Sequence, residues 1–198
     1  MYLQTSEPIE TVSVISTWIK RALGINPGAD CQPAAQAVFE AARAPVFFTG
    51  LGVPDTFDGR FEMVAIHLHL LLVRLRSDGD TATAYSQGVF DIITGHFDEA
   101  LRETGVGDMS VGKRVKVMTQ SLYGRLSAYN AGFNAETAAE MHDALRRNVY
   151  GTIEEPKDEC IAAIMAYQEA VMAHLTEMPL AAIQAGVNLF PPPPGAAP

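Results

Sequence analysis

Cysteine is nearly absent: two residues in 198, Cys31 and Cys160, far apart and without CxxC spacing. That pattern encodes neither a disulfide framework nor a zinc site, and it suits a reducing compartment. Positive charge is also scarce, with 14 Lys and Arg against 23 Asp and Glu, a net charge of −9 and a pI near 4.9. A chain so acidic has no bulk field for DNA or RNA, so any basic site must be local. Long hydrophobic runs are missing as well. The most apolar window, residues 63–73, is interrupted by His67 and His69 and bounded by Glu62 and Arg74, short of the roughly 20 apolar residues that span a bilayer. The opening MYLQTSEPIETVSVISTW lacks the basic start, apolar core and cleavage site of a secretory signal, and its early acidic residues do not suit a mitochondrial presequence. No stretch alternates convincingly as a strand does, and no GxSxG nucleophile elbow occurs.

What the chain does have is a stretch at residues 51–76, LGVPDTFDGRFEMVAIHLHLLLVRLR. At about 100° per residue, Phe57, Phe61, Val64, Leu68, Leu71, Leu72 and Leu75 share one face, and Met63, Ile66, Leu70 and Val73 share the opposite one. A helix apolar on two faces is a buried helix. Two thin polar seams run between those faces at i, i+7 spacing, Arg60/His67/Arg74 and Glu62/His69/Arg76. Thr56 or Asp55 caps the start, and Ser77-Asp78-Gly79 ends the helix.

Around this helix, 3.6-residue periodicity predicts further helices. One covers residues 8–23, ahead of a turn-forming linker at 24–33. The others fall at 33–44, from Asp80 to beyond Leu101, 110–130, from Asn134 to about Val149, 156–177 and 179–184. Val46-Phe47-Phe48 reads as an apolar turn, and residues 105–112 as a glycine-containing loop. Residues 186–198, with Pro191 to Pro194, read as a solvated polyproline II tail. The fold expectation is therefore all-α: a single-domain irregular helical bundle around a central buried helix at about 57–76. Its divisions are an N-terminal helix and linker at 1–33, a helical domain at 34–178 and a C-terminal extension at 179–198.

Motifs for chemistry are weak. GDMSVGK, ending at Lys113, matches the first part of a phosphate-binding GxxxxGK loop, but Arg114 stands where Ser or Thr would hold magnesium, and the preceding segment reads as helix rather than strand. His67 and His69, at i, i+2, point about 160° apart on a helix and cannot chelate one ion together. The paired Glu-x-x-His motifs of a di-metal bundle are absent. Met63, Met118, Met141, Met165 and Met172 keep helical spacing and read first as core, although flexible methionine surfaces also suit adaptable recognition of apolar segments. Lys113, Arg114 and Lys116 crowd the first turns of their helix, where the macrodipole disfavours cations. Structural ion pairing is one reading of them and a local anion or partner site the other.

Four ordered segments, LGVPDTFDGRFEM (51–63), GVGDMSVGKRVKVM (105–118), YGRLSAY (123–129) and ALRRNVYG (144–151), together resemble the ubiquinol-cytochrome c chaperone family over about residues 34–173. The resemblance implies an all-helical, non-enzymatic assembly factor for the ubiquinol-cytochrome c reductase complex. Its implied client is newly made cytochrome b, and its implied surroundings are a membrane surface and, as in mitochondrial relatives, a small partner factor or the ribosome. Without a presequence, the expected form is bacterial and cytoplasmic, peripheral at the cytoplasmic face of the inner membrane. No cofactor, metal or DNA partner is expected. The residues expected at a partner-binding edge, chosen for charge near the motif segments, are Asp55, Asp58, Arg60, Lys113, Arg114, Lys116, Arg125, Arg146 and Arg147. A helical scaffold or dimerisation protein, or a haem-binding protein of the same pathway, is the alternative.

Overall fold

The computed structural model describes residues 31–103 and 108–195, with the side chains of 80, 81, 102, 103 and 108–111 left aside. The predicted N-terminal helix lies outside the described residues. Among those residues are eight helices and no strand: α1 (Gln32–Ala42), α2 (Pro45–Thr49), α3 (Phe57–Arg76), α4 (Asp80–Glu103), α5 (Asp108–Phe133), α6 (Ala139–Asn148), α7 (Asp158–Glu177) and α8 (Leu180–Gln184). The all-α expectation holds.

Helix α3 is the axis of the bundle. Every residue from Phe61 to Leu71 is buried, because α1, α4, α5 and α7 pack around it. Both apolar faces find neighbours, and fully burying one Leu or Ile side chain contributes about 1.5–3 kcal/mol. Thr56 caps the helix in extended backbone, its Oγ1 accepting from the Gly59 amide at 3.2 Å, and Gly79 (φ +64) turns the chain out after the last turn. One residue of the predicted apolar face departs from it: Phe57 is 49% exposed, since the first turn projects beyond the bundle.

The polar seams are buried with the rest, so their groups need partners. Arg74 Nε donates to the Leu175 carbonyl at 2.8 Å and Nη2 to the Met178 carbonyl at 2.6 Å. The Leu175 carbonyl also accepts from the Met178 amide at 3.1 Å, so Arg74 adds to the bonds that close the end of α7. Nη1 meets Asp78 at 2.6 Å, so one guanidinium fastens two helix ends. His67 Nδ1–H donates to the Met63 carbonyl at 2.7 Å, which leaves Nε2 to accept from the Tyr167 hydroxyl at 2.9 Å. His69, on the other side, is 3% exposed and neither ring nitrogen has a partner. The i, i+2 pair is divided between opposite sides of α3.

Several predicted boundaries shift. Val46, Phe47 and Phe48 lie in a short helix rather than a turn. The expected glycine loop is helical from Asp108 onward, which places Gly112 inside α5 and removes the context of a phosphate loop. Asn134 does not open a helix: its amide and Nδ2 both bond back to the Asn130 carbonyl, and α6 begins only at Ala139. The segment expected to be a solvated tail packs down instead. Leu189 is 1% exposed, Phe190 meets the His67 ring at 5.0 Å, and His174 Nε2 donates to the Asn188 carbonyl at 2.7 Å. Apolar side chains just before the prolines supply an anchor that the proline pattern masks.

Burial holds the imidazoles of His67 and His69 down to about 4, from an ordinary 6.5. For His69 the charge of Arg76 adds to the effect, and for His67 the Met63 carbonyl opposes it. Between those values the unfolded chain binds protons that the fold excludes. Each histidine therefore withdraws stability as pH falls from 6.5 to 4, by at most about 1.4 kcal/mol per pH unit. His69→Phe, which loses no hydrogen bond, should have urea midpoints that match or exceed wild type near pH 7 and pull ahead as pH falls to 4.5. A constant difference between the two across that range would contradict a neutral, buried His69. Gly59→Ala should cost about 1–3 kcal/mol by overpacking, because a Cβ there would lie 2.0 Å from the Pro54 carbonyl oxygen; thermal unfolding measures it.

Candidate functional site

The loop 50–56 and the first turn of α3 form one wall of a cleft. Two backbone and side-chain bonds hold the loop: Val53 N donates to the Phe47 carbonyl at 2.9 Å, and the buried Tyr150 hydroxyl donates to the Leu51 carbonyl at 2.7 Å. The absence of a Cβ at Gly59 lets α3 start directly beneath Pro54. Facing this wall are α5, through Val117, Met118, Ser121 and Arg125, and the end of α6 with its following turn, through Arg147, Asn148, Val149, Gly151 and Thr152. The enclosed space is about 370 Å³.

Its base is an ionic cluster. Glu62, 2% exposed, receives Arg125 Nε at 2.6 Å on one oxygen and the Tyr129 hydroxyl at 2.9 Å on the other. Burial pushes the Glu62 carboxyl above its ordinary 4.5, and the hydrogen bond and charge of Arg125, then the Tyr129 hydroxyl, pull it back. Burial likewise pushes the Tyr129 phenol well up, with the Glu62 charge adding to it, so the hydroxyl stays protonated and donates. The cluster is satisfied and fixed; it positions α5 against α3. The mouth is different, for Phe57 is 49% and Val117 53% exposed. Of the five large apolar side chains exposed among the described residues, these two line the same cleft.

The sequence-predicted residues separate into four groups. Asp58, Arg125 and Arg147 line the cleft. Asp55 and Arg60 pair with each other at 2.7 Å, both more than half exposed, and the Arg60 guanidinium lies 5.4 Å from the Phe48 ring, so they brace the entry loop. Arg146 faces away, toward Asp158 at 3.5 Å. Lys113, Arg114 and Lys116 are exposed on the first turns of α5 and, among the described residues, make no ion pair; the pairing with Asp55 or Asp58 that would neutralise them is not formed. Lys113 stands four residues before Val117, and Arg114 four before Met118, one turn along the same helix side as the cleft. Charge-based reasoning missed Glu62, Tyr129, Phe57 and Val117. The i, i+7 seam carried a signal for Glu62, whereas exposure of Phe57 and Val117 depends on where the neighbouring helices stop.

Arg125→Ala leaves the Glu62 carboxylate buried without its counter-charge and should cost on the order of 3 kcal/mol near pH 7, at the low end for a buried pair because Arg125 is partly exposed. That loss should shrink as pH falls and Glu62 takes up a proton. Glu62→Gln/Arg125→Met should recover part of it, and a double-mutant cycle from urea unfolding measures the coupling.

The four segments that carry the family resemblance thus contribute to one wall system: the entry loop, the face of α5 and the end of α6. Comparison with known proteins agrees with it. A mouse protein, ubiquinol-cytochrome c reductase complex assembly factor 1, is 23% identical over 133 residues; the match takes in 67% of this chain but only 44% of the mouse protein. The crystal structure of the Cbp3 homolog from Brucella abortus superposes with a TM-score of 0.73 at 30% identity, covering 93% of this chain and all of that one. The family model for the ubiquinol-cytochrome C chaperone matches residues 49–190, from the entry loop to the packed C-terminal segment. A match over that much of the chain is decisive: this protein belongs to the ubiquinol-cytochrome c chaperone family.

Proposed function

We propose that this protein is a non-enzymatic chaperone that holds newly made cytochrome b during assembly of the ubiquinol-cytochrome c reductase complex. Its family is that of the assembly chaperones of this complex, and the mouse relative is named as an assembly factor for it. The observation that carries the reading further is the cleft between the entry loop, α5 and the end of α6. It combines an exposed aromatic and an exposed aliphatic side chain at its mouth with a guanidinium, Arg147, on its rim. Aromatic and Arg side chains around an apolar centre are the usual makings of a binding hot spot.

The client suits that surface. A membrane protein in the making exposes apolar helices and loops, and the cleft offers Phe57 and Val117 to them. Lys113, Arg114 and Lys116, which make no ion pair among the described residues, favour acidic loops or anionic headgroups. No helix among the described residues is long and apolar enough to cross a membrane, so the proposed role at the membrane is a peripheral one.

Phe57→Ser/Val117→Ser should lower recovery of cytochrome b in a crosslinking pull-down about tenfold, equivalent to about 1.4 kcal/mol of binding free energy. Lys113→Glu/Arg114→Glu should lower it less and make it insensitive to salt. Circular dichroism should be unchanged in both, because all four side chains are exposed. Unchanged recovery in both variants would overturn the cleft as the client site, and enrichment of a different reductase subunit instead would overturn the client.

A further inference from the structure

A second cavity, of about 500 Å³, opens between the second half of α3, the first half of α4, and α5. It shares no lining residue with the cleft at the entry loop. Leu72, Val73 and Leu126 form its apolar sides. Phe90 and Tyr123, with ring centroids 5.0 Å apart, close one end. At the other end stand Arg76 and Asn130. The seven residues from Tyr123 to Asn130 put those ends about 10 Å apart along α5, at a rise of 1.5 Å per residue.

Of the lining side chains, the guanidinium of Arg76 stands at one end of that axis. Arg76 is exposed at the mouth and donates to Asn130 Oδ1 at 3.3 Å; among the described residues no carboxylate pairs with it. In a chain with 23 acidic residues and a net charge of −9, a guanidinium left to a neutral amide at the edge of an apolar cavity is a vacant anion partner. Asp91 lies outside the lining and accepts from Gln87 Nε2 at 2.7 Å; after burial, its charge pushes the Tyr123 phenol up. One wall also holds His69, 3% exposed with neither ring nitrogen partnered. Such a group in a core costs about 1–3 kcal/mol relative to a hydrogen-bonded one, and its ring contacts with Tyr129 and Phe133 supply no hydrogen bond among the described residues. The Arg76 charge acts on its ring, so guanidinium and imidazole lie on the same side of the cavity.

The geometry points to a binding site for an amphipathic anion with a single apolar chain, its carboxylate or phosphate head at Arg76 and Asn130 and its chain laid along Leu72, Val73 and Leu126 toward the Phe90–Tyr123 pair. The reverse orientation would take the head away from Arg76, the cation among the lining residues. The site needs no part of the client reading and stands or falls separately from it.

Dodecanoate below its micellar concentration, titrated calorimetrically into the full chain at neutral pH, should saturate one site per chain. Arg76→Gln should weaken binding about tenfold, dodecanol should bind about tenfold more weakly than dodecanoate, and Leu126→Trp should abolish binding by filling the cavity. Ser86→Phe, at a partly exposed position on α4, serves where Leu126→Trp does not fold. Vesicles of phosphatidylglycerol and phosphatidylcholine distinguish the source of the chain. Cosedimentation lost in the same variants assigns it to membrane lipid; cosedimentation unchanged while dodecanoate binding is lost assigns it to a free fatty acid. Absence of saturable dodecanoate binding, equal affinity for dodecanol, or wild-type affinity in Arg76→Gln and the filled-cavity variant would overturn the site.

Discussion

A helix that is apolar around almost its whole circumference cannot rest on one neighbour. Helix α3 buries every side chain from Phe61 to Leu71, and to do so it must be walled by α1, α4, α5 and α7 at once. The remaining architecture follows from that requirement. The short α2 and the loop 50–56 deliver the chain to the start of α3, and the Thr56 cap and the side-chain-free Gly59 allow it to begin under Pro54. At the other end Arg74 closes the last turn of α3 and the last turn of α7 with one guanidinium.

Complete burial turns each polar residue of α3 into either an anchor or a vacancy. Glu62, His67 and Arg74 are anchors, bonded to α5, α7 and the end of α7 respectively. Because unpartnered buried polar groups cost far more than partnered ones gain, these bonds fix the register of α3 against its neighbours. His69 is the vacancy. Its seam partner Arg76 emerges at the edge of a cavity, whereas the corresponding edge at Glu62 is closed by Arg125 and Tyr129.

The two ends of α3 thereby acquire different characters. Near its start, a satisfied ionic base lies below an exposed apolar mouth, a combination suited to gripping a protein segment without ligand-dependent rearrangement. Near its end, apolar walls lie beside an unmatched guanidinium, which suits a small amphipathic molecule. For a chain of the ubiquinol-cytochrome c chaperone family, the proposed client cleft and the proposed lipid-sized cavity would set both ligands along one central helix.

The sequence alone determined the helical class, the buried axis and its ends, because helical periodicity and caps are local: the two apolar faces, Thr56 and the Ser77-Asp78-Gly79 stop all stand where the pattern puts them. It determined family membership too, since the motif segments are recognisable as strings. Tertiary structure decided which charges act together. Nine residues chosen for their charge divide into a cleft set, a loop brace, an outward-facing Arg146 and a strip that makes no ion pair among the described residues, a sorting that depends on distances between helices which no local pattern encodes. It also decided that Phe57 is exposed and Leu189 buried, the reverse of what the helical wheel and the proline tail imply. Apolar character states what a side chain favours, and only the position of the neighbouring helices states whether it is covered.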